Sequence, residues 1–87
     1  MKVSEYRDLA NHAFSMARDL NSCTTDEERR RWGVRAEKLK LELWAASKPS
    51  RATQRDCERM EIAKTRLRDA FDSVSHLVFE DKQFLGL

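Results

Sequence analysis

Eighty-seven residues with 37% charged side chains, only two glycines and one proline describe a small chain with few turn formers, which excludes a strand-rich or collagen-like fold. The net charge of +2 is too small to mark the whole chain as a nucleic-acid binder. No run approaches the ~18 apolar residues of a membrane span, and no apolar leader follows Met1, so the expected location is the cytoplasm.

The first helix is expected over residues 4–21, with Ser4 as its cap. Tyr6, Leu9, Ala10, Ala13, Phe14, Met16, Ala17 and Leu20 form one broad apolar face, opposite Asp8, Asn11, His12, Ser15 and Asp19. Asn21-Ser-Cys-Thr-Thr25 then breaks the pattern. Thr24 and Thr25 are each followed three residues later by a glutamate, Glu27 and Glu28, which makes two overlapping capping boxes.

The second helix is expected over 25–47 and is apolar on two sides. Trp32, Ala36, Leu39, Leu43 and Ala46 share one face, while Val34, Leu41 and Ala45 point nearly the opposite way, with Trp44 between. In a three-helix bundle only one side of a helix meets the core, so the second side points to another subunit or a partner. Gly33 sits inside this helix against its propensity and marks close backbone packing beside Trp32.

Pro49-Ser50 forms the next hinge, and Thr53 with Asp56 three residues on has the spacing of a third capping box. From there the longest helical signal runs to residue 79. Met60, Ala63, Leu67, Ala70, Val74 and Leu77 step by three and four, keeping one stripe, which Phe71 and Val78 widen. Intrahelical pairs Arg55–Glu58 and Glu61–Lys64 are expected on its polar side. Residues 80–87 make a short acidic-apolar tail with Phe84, Leu85 and Leu87.

Short links between helices predict a single all-α domain over 1–87, either three antiparallel helices, up, down and up, or a hairpin of the second and third helices with the first docked on it, in an oligomer. Helix 2 then holds Cys23 and Cys57 about 30 Å apart, so both are expected as free thiols. No catalytic constellation, glycine-rich phosphate loop or inward metal-ligand pair is present. His12 falls on a polar face, and so do Asp72 and His76. The expectation is therefore a non-enzymatic protein without cofactor or metal.

Its contact surface is expected at Val34, Leu41, Trp44, Ile62 and Phe79, which lie off the core stripes. The partner is a protein or a second copy of the chain. An inhibitor or adaptor of a host protein, of the kind phages and mobile elements encode, would fit that description. The alternative is a binder of phosphate-bearing ligands, a cyclic nucleotide or a nucleic acid. Its site would be Arg55, Arg59 and Arg66, which share about 40° of the third helix's wheel.

Thr65, Arg66, Leu67, Asp69 and Ala70, after a Pro49-Ser50 hinge, give Ala63–Val78 a resemblance to the last helix of the anti-CBASS sponge family, phage proteins that sequester cyclic oligonucleotide signals. The chain departs from that pattern at Val74, His76 and Leu77, where the family has small residues. The hinge-to-motif distance is also longer here, and the first helix is extra. The resemblance implies a helical-hairpin oligomer that holds nucleotide phosphates between subunits, and it assigns no individual binding residue.

Overall fold

The computed structural model describes residues 1–79, and the tail expected at 80–87 lies outside them. The fold is an all-α bundle of α1 (Val3–Asn21), α2 (Asp26–Ala45) and α3 (Gln54–Asp72). The cross-links Arg7–Asp56 and Asn11–Arg59 put α1 and α3 side by side in parallel. α2 runs back between their ends, as the short connections require.

The first helix begins one residue earlier than expected and without Ser4 as its cap. Lys2 occupies the cap position and offers no side-chain hydrogen bond, while Ser4 lies within the first turn. The second start follows the sequence. Thr25 caps α2, its Oγ1 accepting from the Glu28 amide at 3.2 Å. Glu28 closes the motif one residue early, accepting from the Thr24 amide at 3.3 Å rather than from Thr25. α2 stops at Ala45, where Ala46 turns extended ahead of the proline hinge.

At α3 both halves of the capping box form. Thr53 Oγ1 accepts from the Asp56 amide at 3.1 Å, and Asp56 Oδ2 accepts from the Thr53 amide at 3.0 Å. The same carboxylate takes two bonds from Arg7 on α1, 2.9 Å from Nε and 3.2 Å from Nη2. A single side chain therefore starts α3 and ties it to α1. The Arg7 bonds, followed by the Thr53 amide, hold the Asp56 carboxyl at about 2, below its ordinary 3.8. A carboxyl whose folded pKa lies below its unfolded value stabilises the fold above that unfolded value, and the contribution fades as pH falls through the folded one. Melting temperature is accordingly expected to drop between about pH 4 and pH 2 more steeply in the native chain than in Asp56→Asn. Melting curves that stay parallel across that window would contradict the assignment.

The third helix does not continue to residue 79. It ends at Asp72, the chain makes a turn at 73–74, and helical backbone resumes over 75–79. The cause is local competition for carbonyls rather than glycine or proline. Ser73 Oγ donates to the Ala70 carbonyl at 2.6 Å and Ser75 Oγ to the Asp72 carbonyl at 3.1 Å. The Val74 amide bonds three residues back, to Phe71, at 2.9 Å. The expected Glu61–Lys64 pair forms at 3.8 Å. The Arg55–Glu58 pair does not, because Glu58 accepts from Gln54 at 3.2 Å instead.

The core follows the predicted stripes. Tyr6, Ala10, Ala13, Met16, Ala17 and Leu20 of α1 meet Met60, Ala63, Leu67, Ala70 and Phe71 of α3, with Ala36, Leu39 and Leu43 from α2, Val74 from the turn and Val78 beyond it. Half of the α1 stripe is alanine, which lets α1 lie close against α3, its most extensive neighbour. No helix among the described residues is long and apolar enough to cross a membrane.

Candidate functional site

Two surfaces carry side chains that the core does not use. The first is the outer face of α2. Val34 and Leu41, seven residues apart, stand on its ridge, and Leu41 is 69% exposed. Trp44, one turn on, leans towards α3 and is 48% exposed. Its ring has the Lys40 and Lys64 ammonium groups each 5.7 Å from the centroid. Lys40 also lies 5.0 Å from the Phe71 ring, and Phe79 meets Phe71 edge to face at 6.3 Å. Lys40 therefore bridges Trp44 to the buried Phe71, against which Phe79 packs.

Ile62 does not join that surface. It is half exposed, but on the side of α3 turned towards α1, roughly opposite Lys64. Of the five residues expected to share one contact surface, Val34, Leu41 and Trp44 stand on α2, Phe79 lies against Phe71 and Ile62 lines the α1 side, because a helical wheel orders the residues of one helix without saying which neighbour stands beside each sector.

The second surface is an open groove of about 670 Å³ between α1 and α3, lined by Phe14, Ser15, Arg18, Arg55, Glu58, Arg59, Ile62 and Arg66. Arg55, Arg59 and Arg66, which share a sector of α3, all line this groove. Arg18 joins them from α1, and it extends with Arg66 into the adjoining shallow groove near Asn21 and Asp69. The groove is strongly basic, with four arginines against the single carboxylate of Glu58. Its arginines are placed rather than splayed. The Arg59 guanidinium lies 4.7 Å and that of Arg66 5.2 Å from the Phe14 ring centre. Arg59 Nη2 also donates to Asn11 Oδ1 at 2.8 Å. Arg18 and Phe14 were missed as groove residues, since each is separated from the α3 arginines by the end of α1 and the whole of α2, and no spacing rule links them.

Among the described residues no three His, Cys, Asp or Glu side chains gather as a metal site. Cys23 and Cys57 are free thiols. Burial raises the Cys23 thiol pKa, and its Sγ donates to the Asp19 carbonyl at 3.3 Å. That favours the protonated, unreactive form. No family model, curated protein or solved structure matches the chain.

Proposed function

We propose that this protein is a non-enzymatic helical interaction module whose working face is the outer side of α2, and that a second copy of the chain is its first partner. The observation that carries this reading is the apolar ridge of Val34 and Leu41 with Trp44 at its edge, all three about half exposed or more. Large apolar side chains that gather on one helix face, away from the core, are the usual mark of a contact surface.

Self-pairing suits the order of residues on the ridge. Two α2 helices laid antiparallel about an axis between Glu37 and Lys38 set Val34 of each copy against Leu41 of the other. The same axis repeats the contact on both sides, as an isologous interface requires. A docked adaptor or inhibitor target would use the same ridge.

Light scattering during gel filtration tests the reading. The native chain is expected to elute as a dimer, and Leu41→Glu as a folded monomer, because Leu41 takes no part in the core and a buried unpaired carboxylate opposes association. A native monomer at the highest soluble concentration, or a Leu41→Glu dimer, would remove self-association as the function of this face.

A further inference from the structure

The groove between α1 and α3 is independent of the α2 ridge, and its chemistry points elsewhere. The other well-formed arginine pairs of the bundle are short: Arg7 with Asp56 at 2.9 Å, Arg29 with Asp26 at 2.8 Å and Arg31 with Glu27 at 2.7 Å. In the groove the pattern changes. Arg18 reaches only Asp19, at 4.0 Å, and Arg55, Arg59 and Arg66 make no ion pair among the described residues. Four like charges drawn from two helices repel one another, and no core contact requires Arg18 or Arg55 to stand there. A bound anion removes that repulsion.

We infer that this groove binds the phosphodiester backbone of a single-stranded nucleic acid, with Arg18, Arg55, Arg59 and Arg66 as its phosphate ligands. Length selects an extended polyanion over an isolated phosphate, since Arg55 and Arg66 are separated by about 16 Å of helix rise. Width selects a single strand over a duplex. The groove lies between helices whose axes pack about 8–10 Å apart, so a duplex meets only its rim. Aromatic support selects nucleic acid over a featureless polyanion. Phe14 holds the Arg59 and Arg66 guanidinium groups 4.7 and 5.2 Å from its ring centre, and an aromatic ring beside arginines is the pairing that takes bases by stacking and phosphates by charge. Ile62 adds an exposed apolar surface at the same wall.

The test is fluorescence anisotropy with a labelled oligothymidylate of about 15 nucleotides, a length within the usual site range of single-strand binders. Binding is expected to weaken with salt, with a log–log slope between about −2 and −3 for three to four phosphate contacts. Arg18→Ala with Arg55→Ala is expected to weaken binding at least about tenfold and to flatten the slope by about 1.4. Neither of these side chains packs in the core, so the melting curve should stay in place. Arg59→Ala with Arg66→Ala should weaken binding as much, but with some loss of stability from Phe14.

A duplex of the same length, a cyclic dinucleotide and inorganic phosphate serve as competitors at equal phosphate concentration. Failure of all three to displace the strand supports the inference. Displacement by the cyclic dinucleotide or by inorganic phosphate would show a compact anion site and overturn the extended-strand reading. Displacement by the duplex would overturn the single-strand reading. Absence of binding at low salt, or equal binding by the Arg18→Ala, Arg55→Ala variant, would overturn the site itself. None of these results bears on the oligomeric state that tests the α2 ridge.

Discussion

Leu67→Ala is expected to remove about 3–5 kcal/mol of folding stability, the upper part of the range for a buried leucine. Leu67 is fully buried in the C-terminal half of α3. The register fixed by Arg7–Asp56 and Asn11–Arg59 brings it level with the stretch of α1 around Ala17. The α1 stripe offers Ala10, Ala13 and Ala17, and the α3 stripe adds Ala63 and Ala70. Alanines have no side chain with which to move into a void, so the cavity left by the missing atoms persists. Its cost then adds to the lost transfer energy.

A domain of this size holds about 0.05–0.15 kcal/mol per residue, so the loss is a large part of the total. In melting temperature it amounts to about 4–8 °C per kcal/mol. Leu67→Met, which preserves volume, is expected to cost less than about 1.5 kcal/mol. Thermal and urea unfolding of both variants provide the check. A Leu67→Ala loss below about 1 kcal/mol would mean that α1 does not pack on α3 as described.

The parts of this fold that were legible in the sequence are those set by neighbours along the chain. Thr53 and Asp56 are three residues apart, so their reciprocal bonds follow from spacing alone, and so does Thr25 as the α2 cap. The alternation of threes and fours in Met60, Ala63, Leu67 and Ala70 placed them in the core because periodicity is itself a local property. The break at 73–74 was hidden. Serine in a helix is compatible with either outcome, and only the bonds of Ser73 and Ser75 to nearby carbonyls decide it.

The two candidate faces were half legible for a related reason. The exposure of Val34, Leu41 and Trp44 follows from a wheel with two apolar sides. The removal of Ile62 to the α1 side depends on how α3 is rotated against two neighbours at once. Arg55, Arg59 and Arg66 could be grouped from one helix, whereas the arrival of Arg18 and Phe14 beside them requires the parallel register of α1 and α3. Asp56 set that register by pairing with Arg7, a contact across 49 residues that the capping-box spacing did not announce.

Gly33→Ala should destabilise the fold, although the exchange improves helix propensity by about 1 kcal/mol. A Cβ built at Gly33 falls 2.5 Å from Val78 Cγ2 and 3.3 Å from Val74 Cγ2. Valine is stiff at χ1 and cannot swing its methyl aside as a long side chain would, so the 75–79 segment must lift away from α2. Overpacking of this kind costs about 1–3 kcal/mol, which exceeds the propensity gain and leaves a net loss of about 1 kcal/mol. The segment that lifts carries Phe79, so the aromatic flank shared with Phe71 should loosen at the same time. A double-mutant cycle isolates the clash. In a Val78→Ala background the obstructing methyl is gone, and Gly33→Ala should become neutral or stabilising, a coupling of about 1–2 kcal/mol between the two sites. Strictly additive losses would mean that glycine is needed at position 33 for some reason other than Val78. Coupling of the expected sign would establish that the absence of one β-carbon on α2 decides where the chain after α3 comes to rest.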